Sequence, residues 1–130
     1  MIRTSSQSAK YQTRFTNGQD IAISDTTKNK GGTGQGFRPH ELIEAALANC
    51  MNITLRMSAE KHAIPLDGVT VTVSLDRSNT DEPVFEYSIG LQGELSEDQK
   101  KVLMASVRNC PVRNTLSKSL SFRKAEKETA

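Results

Sequence analysis

Two cysteines, Cys50 and Cys110, are the residues of this chain best suited to chemistry. A thiolate is a strong nucleophile, and a second thiol can trap the oxidised form of the first as a disulfide. Neither cysteine belongs to a CxxC, and the chain's 2 histidines fall at no metal-ligand spacing. A disulfide scaffold, a zinc site and a cofactor are therefore not expected.

Cys50 lies inside the run PHELIEAALANCMNITLRMSAEKH, where it reads either as a small buried hydrophobe or as a redox thiol. Cys110 precedes Pro111, which suits the first position of a helix. That makes Cys110 the N-cap, where unpaired amides and the helix dipole lower a thiol's pKa. Glu41 and Glu44 share a helix face and can orient an arginine, accept a proton, or simply favour the dipole. Arg38 and Arg113 each stand near a cysteine-bearing helix start, as thiolate partners or as solvated surface cations. His40 and His62 read as ordinary helix-terminal residues. The segment GGTGQGF lacks the Gly-Lys-Ser/Thr of a P-loop, and no Ser/His/Asp motif is present.

The elements that would carry these side chains follow from pattern. Residues 9–16 and 19–25 read as strands joined by Asn17-Gly18, a turn pair that tolerates positive φ. The stretch 26–38 carries four glycines and must be loop, mobile or functional. Pro39 opens a helix that runs to about His62, ahead of Pro65. Ile43, Ala46, Leu47, Cys50, Thr54 and Met57 are expected on one apolar face, with Leu42, Ala45 and Ile53 beside it. So broad an apolar arc calls for cover on more than one side. Val69, Val71, Val73 and Leu75 alternate with polar residues in the clearest strand, and 84–92 is its expected antiparallel partner. Ser96 and Gln99 form a capping-box pattern ahead of a helix to about Asn109. A short helix after Pro111 and a strand at Leu120–Arg123 complete the order. This is an α+β arrangement in a single domain, 1–130: hairpin 9–25, loop 26–38, helix 39–62, strands 68–92, then helices and strand 96–123.

Composition narrows the function. Lys plus Arg is 17 against 15 acidic residues, a balance that gives no support to a nucleic-acid partner. Only 35% of residues are hydrophobic, and there is no tryptophan, so an oligomer is expected to complete the core. The start of the chain lacks the apolar segment of a signal peptide, and no run is long enough to span a membrane. The expected location is the cytoplasm.

Pro39-His-Glu-Leu-Ile-Glu-Ala-Ala-Leu-Ala-Asn-Cys50, followed by Thr54-Leu55-Arg56-Met57, resembles the central-helix signature of the OsmC/Ohr family. Cys110-Pro111-Val112-Arg113-Asn114-Thr115-Leu116 resembles its second motif, and the likeness runs from about Tyr11 to Phe122. The resemblance implies an OsmC-like fold: an intertwined homodimer whose two long central helices are wrapped by antiparallel sheets. It also implies a thiol peroxidase acting on organic hydroperoxides in oxidative-stress defence, with Cys50 peroxidatic, Cys110 resolving and an external dithiol as reductant. Active members carry a glutamate ten residues before the first cysteine and pair it with an upstream arginine. Here His40 holds that place and Glu41 follows it, about 100° around the helix. Glu41 and Arg38 are the expected pair at the thiolate, with Lys30, Arg14 and Arg113 as other cations. The sequence is similar to the shorter OsmC-like branch. The alternative is a binding protein that holds an apolar ligand in a dimer-interface pocket under Leu47, Met51 and Met57.

Overall fold

The computed structural model describes residues 1–126. Its elements are β1 (Arg3–Ser6), β2 (Thr13–Thr16), β3 (Ile21–Ser24), α1 (Pro39–Lys61), β4 (Gly68–Asp76), β5 (Val84–Gln92), α2 (Glu97–Ser106) and α3 (Pro111–Leu116). Short 3-10 turns occur at Lys28–Lys30 and Val107–Asn109. The chain falls into two compact units, Met1–Ala48 with Thr72–Ser88, and Asn49–Val71 with the chain from Ile89 onward. Helix α1 and the hairpin β4–β5 contribute residues to both. No helix among the described residues is long and apolar enough to cross a membrane.

In the first unit β1, β2 and β3 form an antiparallel sheet, with Arg3 opposite Thr16 and Thr13 opposite Ser24. The expected turn forms: Asn17 Oδ1 accepts the N–H groups of Gln19 (2.9 Å) and Asp20 (2.8 Å), and Gly18 takes φ +104°. Strand β1 has no sequence signal, because Arg-Thr-Ser-Ser is polar throughout and pairs through its backbone alone. Glu44 reaches β4 in this unit, where its Oε2 accepts the Leu75 N–H at 2.7 Å.

Two side chains fasten the glycine-rich loop. Asp25, buried at the end of β3, accepts the N–H groups of Thr26 (2.7 Å) and Thr33 (3.0 Å) and the Thr33 hydroxyl. The Thr33 hydroxyl, then the Thr33 amide, hold the Asp25 carboxyl below the usual aspartate range. Arg38 donates to four backbone carbonyls of the loop, those of Thr26, Gly34, Gln35 and Gly36, at 2.7–3.0 Å. A side chain on Gly36 (φ +69°) would collide with the Ile23 carbonyl, so the close approach of loop to strand requires glycine there.

In the second unit the core consists of Met51, Leu55 and Ala59 from α1, Ile64 beyond it, Leu103 and Val107 from α2 and its 3-10 turn, and Cys110. The covered positions of α1 in this unit are Met51, Leu55, Ser58 and Ala59. Of the face expected from sequence, Leu47 is buried, Cys50 and Thr54 are half-buried, and Met57 is 66% exposed within the single chain. The helix is apolar around much of its circumference, and pattern alone could not say which arc this chain covers. Asn52 Nδ2 donates to the Val69 carbonyl at 3.0 Å and ties α1 to the start of β4. The Asp67 N–H donates to the Gln92 carbonyl at 2.8 Å, as the antiparallel hairpin β4–β5 requires. The capping box forms as read: the Gln99 N–H donates to Ser96 Oγ (3.1 Å), and the Ser96 N–H to Gln99 Oε1 (2.9 Å).

The strand expected at Leu120–Arg123 is not formed. Leu120 (58% exposed) and Phe122 (98%) keep the alternation of a strand but find no sheet edge within the described chain.

Helix α1 ends in a Schellman motif: the Ile64 N–H donates to the Ala59 carbonyl and the Ala63 N–H to that of Glu60. Ala63 holds the left-handed position, φ +51°, where a Cβ is unfavourable. Ala63→Gly is therefore expected to raise unfolding stability by about 0.5 kcal/mol, the relief of that strain less the added freedom of the unfolded chain. Urea denaturation of the two proteins measures it.

Candidate active site

The two cysteines come together in the second unit. Cys50 lies mid-way along α1 and is half-buried; Cys110 is fully buried. The second thiol is placed by the end of α2, which tightens into a 3-10 turn so that the Cys110 N–H meets the Val107 carbonyl at 3.1 Å. Cys110 then takes extended backbone angles, and Pro111 starts α3. The Val112 and Arg113 amides have no partner inside a helix that begins here, so they are available to sulfur.

The thiols hydrogen-bond to each other and are not equivalent. Burial pushes the Cys50 thiol up. Three donors outweigh it: the Cys110 thiol, the Val112 N–H and the Thr54 hydroxyl, so the Cys50 pKa lies below its ordinary value. Burial also pushes the Cys110 thiol up, and there the hydrogen bond to Cys50 adds to the effect. Cys110 makes no capping hydrogen bond, and the nearby Arg113 and Val112 amides only partly offset that rise. The Cys110 thiol therefore holds its proton more tightly than the Cys50 thiol does. Arg113 contributes here through its backbone, while its side chain is on the surface.

Arg38 and Glu41 also come together, at the start of α1 in the first unit. Glu41 Oε1 accepts the Arg38 N–H at 2.6 Å and lies 3.6 Å from Arg38 Nε. Counting from Arg38 as N-cap, Glu41 is the third helical residue, and it closes half of a capping box. Arg38 has its guanidinium committed to the loop carbonyls. Among the described residues of the second unit, the donors to Cys50 are Cys110, Val112 and Thr54. His40 is exposed in the first turn of α1, Lys30 is exposed in the 3-10 turn of the loop, and Arg14 is on β2 opposite Ile23. Sequence reasoning placed Thr54 on the same face as Cys50 but gave it no role, although four residues along a helix is the spacing at which side chains meet. The Val112 donor was implied only by the general weakness of helix starts.

An open groove of about 430 Å³ is lined by Thr54, Met57, Ser58, Lys61 and His62 of and beyond α1, and by Val102, Ala105, Ser106 and Asn109 of α2 and its 3-10 turn; it approaches the pair through Thr54, and neither cysteine lines it. Among the described residues no group of three or more His, Cys, Asp or Glu could hold a metal ion.

A family model described as OsmC-like protein matches residues 32–123, a span that holds both cysteines, all of α1 and the helices around Cys110. The chain belongs to the OsmC-like protein family. Solved structures agree on the α+β OsmC-like fold. A Psychrobacter arcticus protein assigned to the osmotic stress induced and detoxification response superposes with a TM-score of 0.72 at 22% identity, over 88% of this chain and 85% of that one. An OsmC like protein from Mycoplasma pneumoniae gives 0.68 at 22%, over 89% and 85%. An organic hydroperoxide resistance protein OsmC from Legionella pneumophila gives 0.64 at 19%, over 90% and 88%. No curated protein matches this OsmC-like sequence.

If the Cys110 S–H supports the thiolate, removing it must return a proton to Cys50. In Cys110→Ala the Cys50 pKa is expected to rise, and its thiolate fraction near neutral pH to fall by about threefold or more. Cys110→Ser, which keeps an O–H donor, is expected to lose less. Ultraviolet titration of the thiolate, read against Cys50→Ser, measures both.

Proposed function

We propose that this OsmC-like protein is a thiol-dependent peroxidase that reduces organic hydroperoxides, with Cys50 as the peroxidatic and Cys110 as the resolving cysteine. The observation that carries the reading is the asymmetric thiol pair: two hydrogen-bonded sulfurs, the Cys50 pKa drawn below its ordinary value and the Cys110 pKa pushed above it. The Cys50 thiolate attacks the terminal oxygen of the hydroperoxide. An S–O bond forms, the O–O bond breaks, and the leaving alkoxide takes a proton to become the alcohol. The Cys50 sulfenic acid then condenses with Cys110, forming the S–S bond and releasing water. An external dithiol reduces the disulfide and returns both thiols. This chemistry needs no bound cofactor. It fits oxidative-stress defence in the reducing cytoplasm, and the Legionella pneumophila protein of like fold is an organic hydroperoxide resistance protein.

The reading includes a homodimer. In its support, Ile53 (45% exposed) and Met57 on α1, with Val102 and Met104 on α2, leave apolar surface uncovered, and the Leu120–Phe122 segment lacks a strand to pair with. A second copy of the chain offers both. The expected consequence is a dimer in sedimentation velocity runs, with Ile53→Glu plus Met57→Glu shifting it to monomer. A species that sediments as monomer at every concentration would refute this part.

Roles in the arrangement of Glu41 and Arg38 are confined in this proposal to the first turn of α1 and the glycine-rich loop, where they fasten backbone. The groove beside Thr54 favours a second reading, in which the protein binds an apolar ligand and the thiols are lining. Peroxide consumption separates the two. With cumene hydroperoxide and a dithiol, Cys50→Ser is expected to lose turnover entirely, while Cys110→Ser consumes about one equivalent and accumulates a sulfenic acid that dimedone traps. Wild-type thiols inert to peroxide, with a retained ligand in native mass spectra, would favour the binding protein.

A further inference from the structure

Thr54 is placed at two things at once. Four residues beyond Cys50 on α1, it stands one turn along the same face, and its hydroxyl hydrogen-bonds the Cys50 sulfur. It is also the groove-lining residue nearest Cys50 along α1, half-buried where Met57, Val102 and Ala105 continue the wall; Lys61 and His62 are the titratable side chains of that lining, and they are the same in every Thr54 variant compared below. The other contacts of that sulfur come from the α2–α3 junction. They are the Cys110 thiol, the one titratable group among them, and the Val112 amide; no charged side chain contributes. A hydroxyl is the only side-chain donor to Cys50 apart from the resolving thiol itself, and that thiol is consumed when the disulfide forms.

We propose that Thr54 is a catalytic residue of the Cys50 site, its O–H donating to the thiolate at the edge of the groove through which the hydroperoxide approaches. The proposal rests on reading Cys50 as the nucleophile. Thr54 keeps its proton throughout: the thiolate electron pair forms the S–O bond, the O–O bond breaks, and the alkoxide is protonated from solvent. The hydrogen bond acts on the sulfur before attack. It favours the deprotonated form, and it makes each thiolate somewhat less reactive, because nucleophilicity falls with pKa by about half as much on a logarithmic scale. The two effects have different pH ranges. Well below the Cys50 pKa the gain in thiolate population wins; well above it only the loss of nucleophilicity remains.

Thr54→Val keeps the shape and removes the donor. Its rate of capture by iodoacetamide, in the Cys110→Ser background so that Cys50 is the sole thiol, is expected to fall about twofold to threefold at mildly acidic pH. At alkaline pH it is expected to exceed the parent rate, so the two pH profiles cross. Thr54→Ser restores the parent profile. A side chain that merely packs would shift both limbs the same way, and that result, or superimposable profiles, would overturn the proposal. Should Thr54→Val fold poorly by circular dichroism, Thr54→Ala against Thr54→Ser gives the same comparison. Alkylation needs no peroxide, so the crossing stands or falls apart from the peroxidase reading: an inactive wild type with crossing profiles refutes only the latter.

Discussion

The hydrogen bond between Cys50 and Cys110 is the interaction on which the rest of the site depends. One sulfur is carried by a long helix and the other by the joint between two short ones, so neither element alone creates the pair. The joint matters because it is a chain reversal built from a 3-10 turn, an extended residue and a proline, each of which excludes a continuous helix there. It delivers a buried thiol and the free amides of a new helix to the same spot. Burial by itself would protonate both sulfurs. The arrangement instead divides the cost: the more enclosed sulfur keeps its proton and uses it to stabilise charge on its neighbour.

That division explains how the Cys50 pKa is lowered by donors that carry no charge. Around Cys50 the stabilising groups are an S–H, an N–H and an O–H, all dipoles whose hydrogens point at sulfur. Dipoles fixed by secondary structure need no reorganisation when charge appears, which is the condition for effective electrostatic support in a partly dry site. The side chains that sequence comparison with active family members would nominate, Arg38 and Glu41, are occupied in fastening backbone. They hold the first turn of α1 and the loop ahead of it.

Much of the fold was legible because its signals are local. The alternation from Val69 to Leu75, Pro39, the Ser96–Gln99 box and Pro111 each set the start of their own element within a residue or two, and Asn17-Gly18 sets its turn, although the strand expected from residue 9 begins at Thr13. Strand β1 was not legible, since its four residues are polar and pair only through backbone. The buried arc of α1 was legible in part, for a different reason: Leu47 of the expected face is enclosed and Met57 is not. A helix apolar on several sides contains no preference among them, and Met51 rather than Met57 is enclosed because of what the rest of the chain places beside it. At the site, the cysteines were visible as motifs, while the Arg38 contacts were not: a guanidinium that binds loop carbonyls leaves no trace in spacing.

Those contacts give the glycine-rich loop a particular kind of order. Thr26 and Arg38 are 12 positions apart, and one planar group grips the chain at both ends of that interval. In polymer terms the guanidinium is a reversible cross-link that closes a loop, and the closure entropy is charged once for the whole set of hydrogen bonds. Four separate side chains would release their carbonyls one by one, giving gradual fraying. A single rigid fork releases them together. The carbonyls of Thr26, Gly34, Gln35 and Gly36 are therefore expected to be freed together with Arg38, while Asp25 retains an independent hold on Thr26 and Thr33.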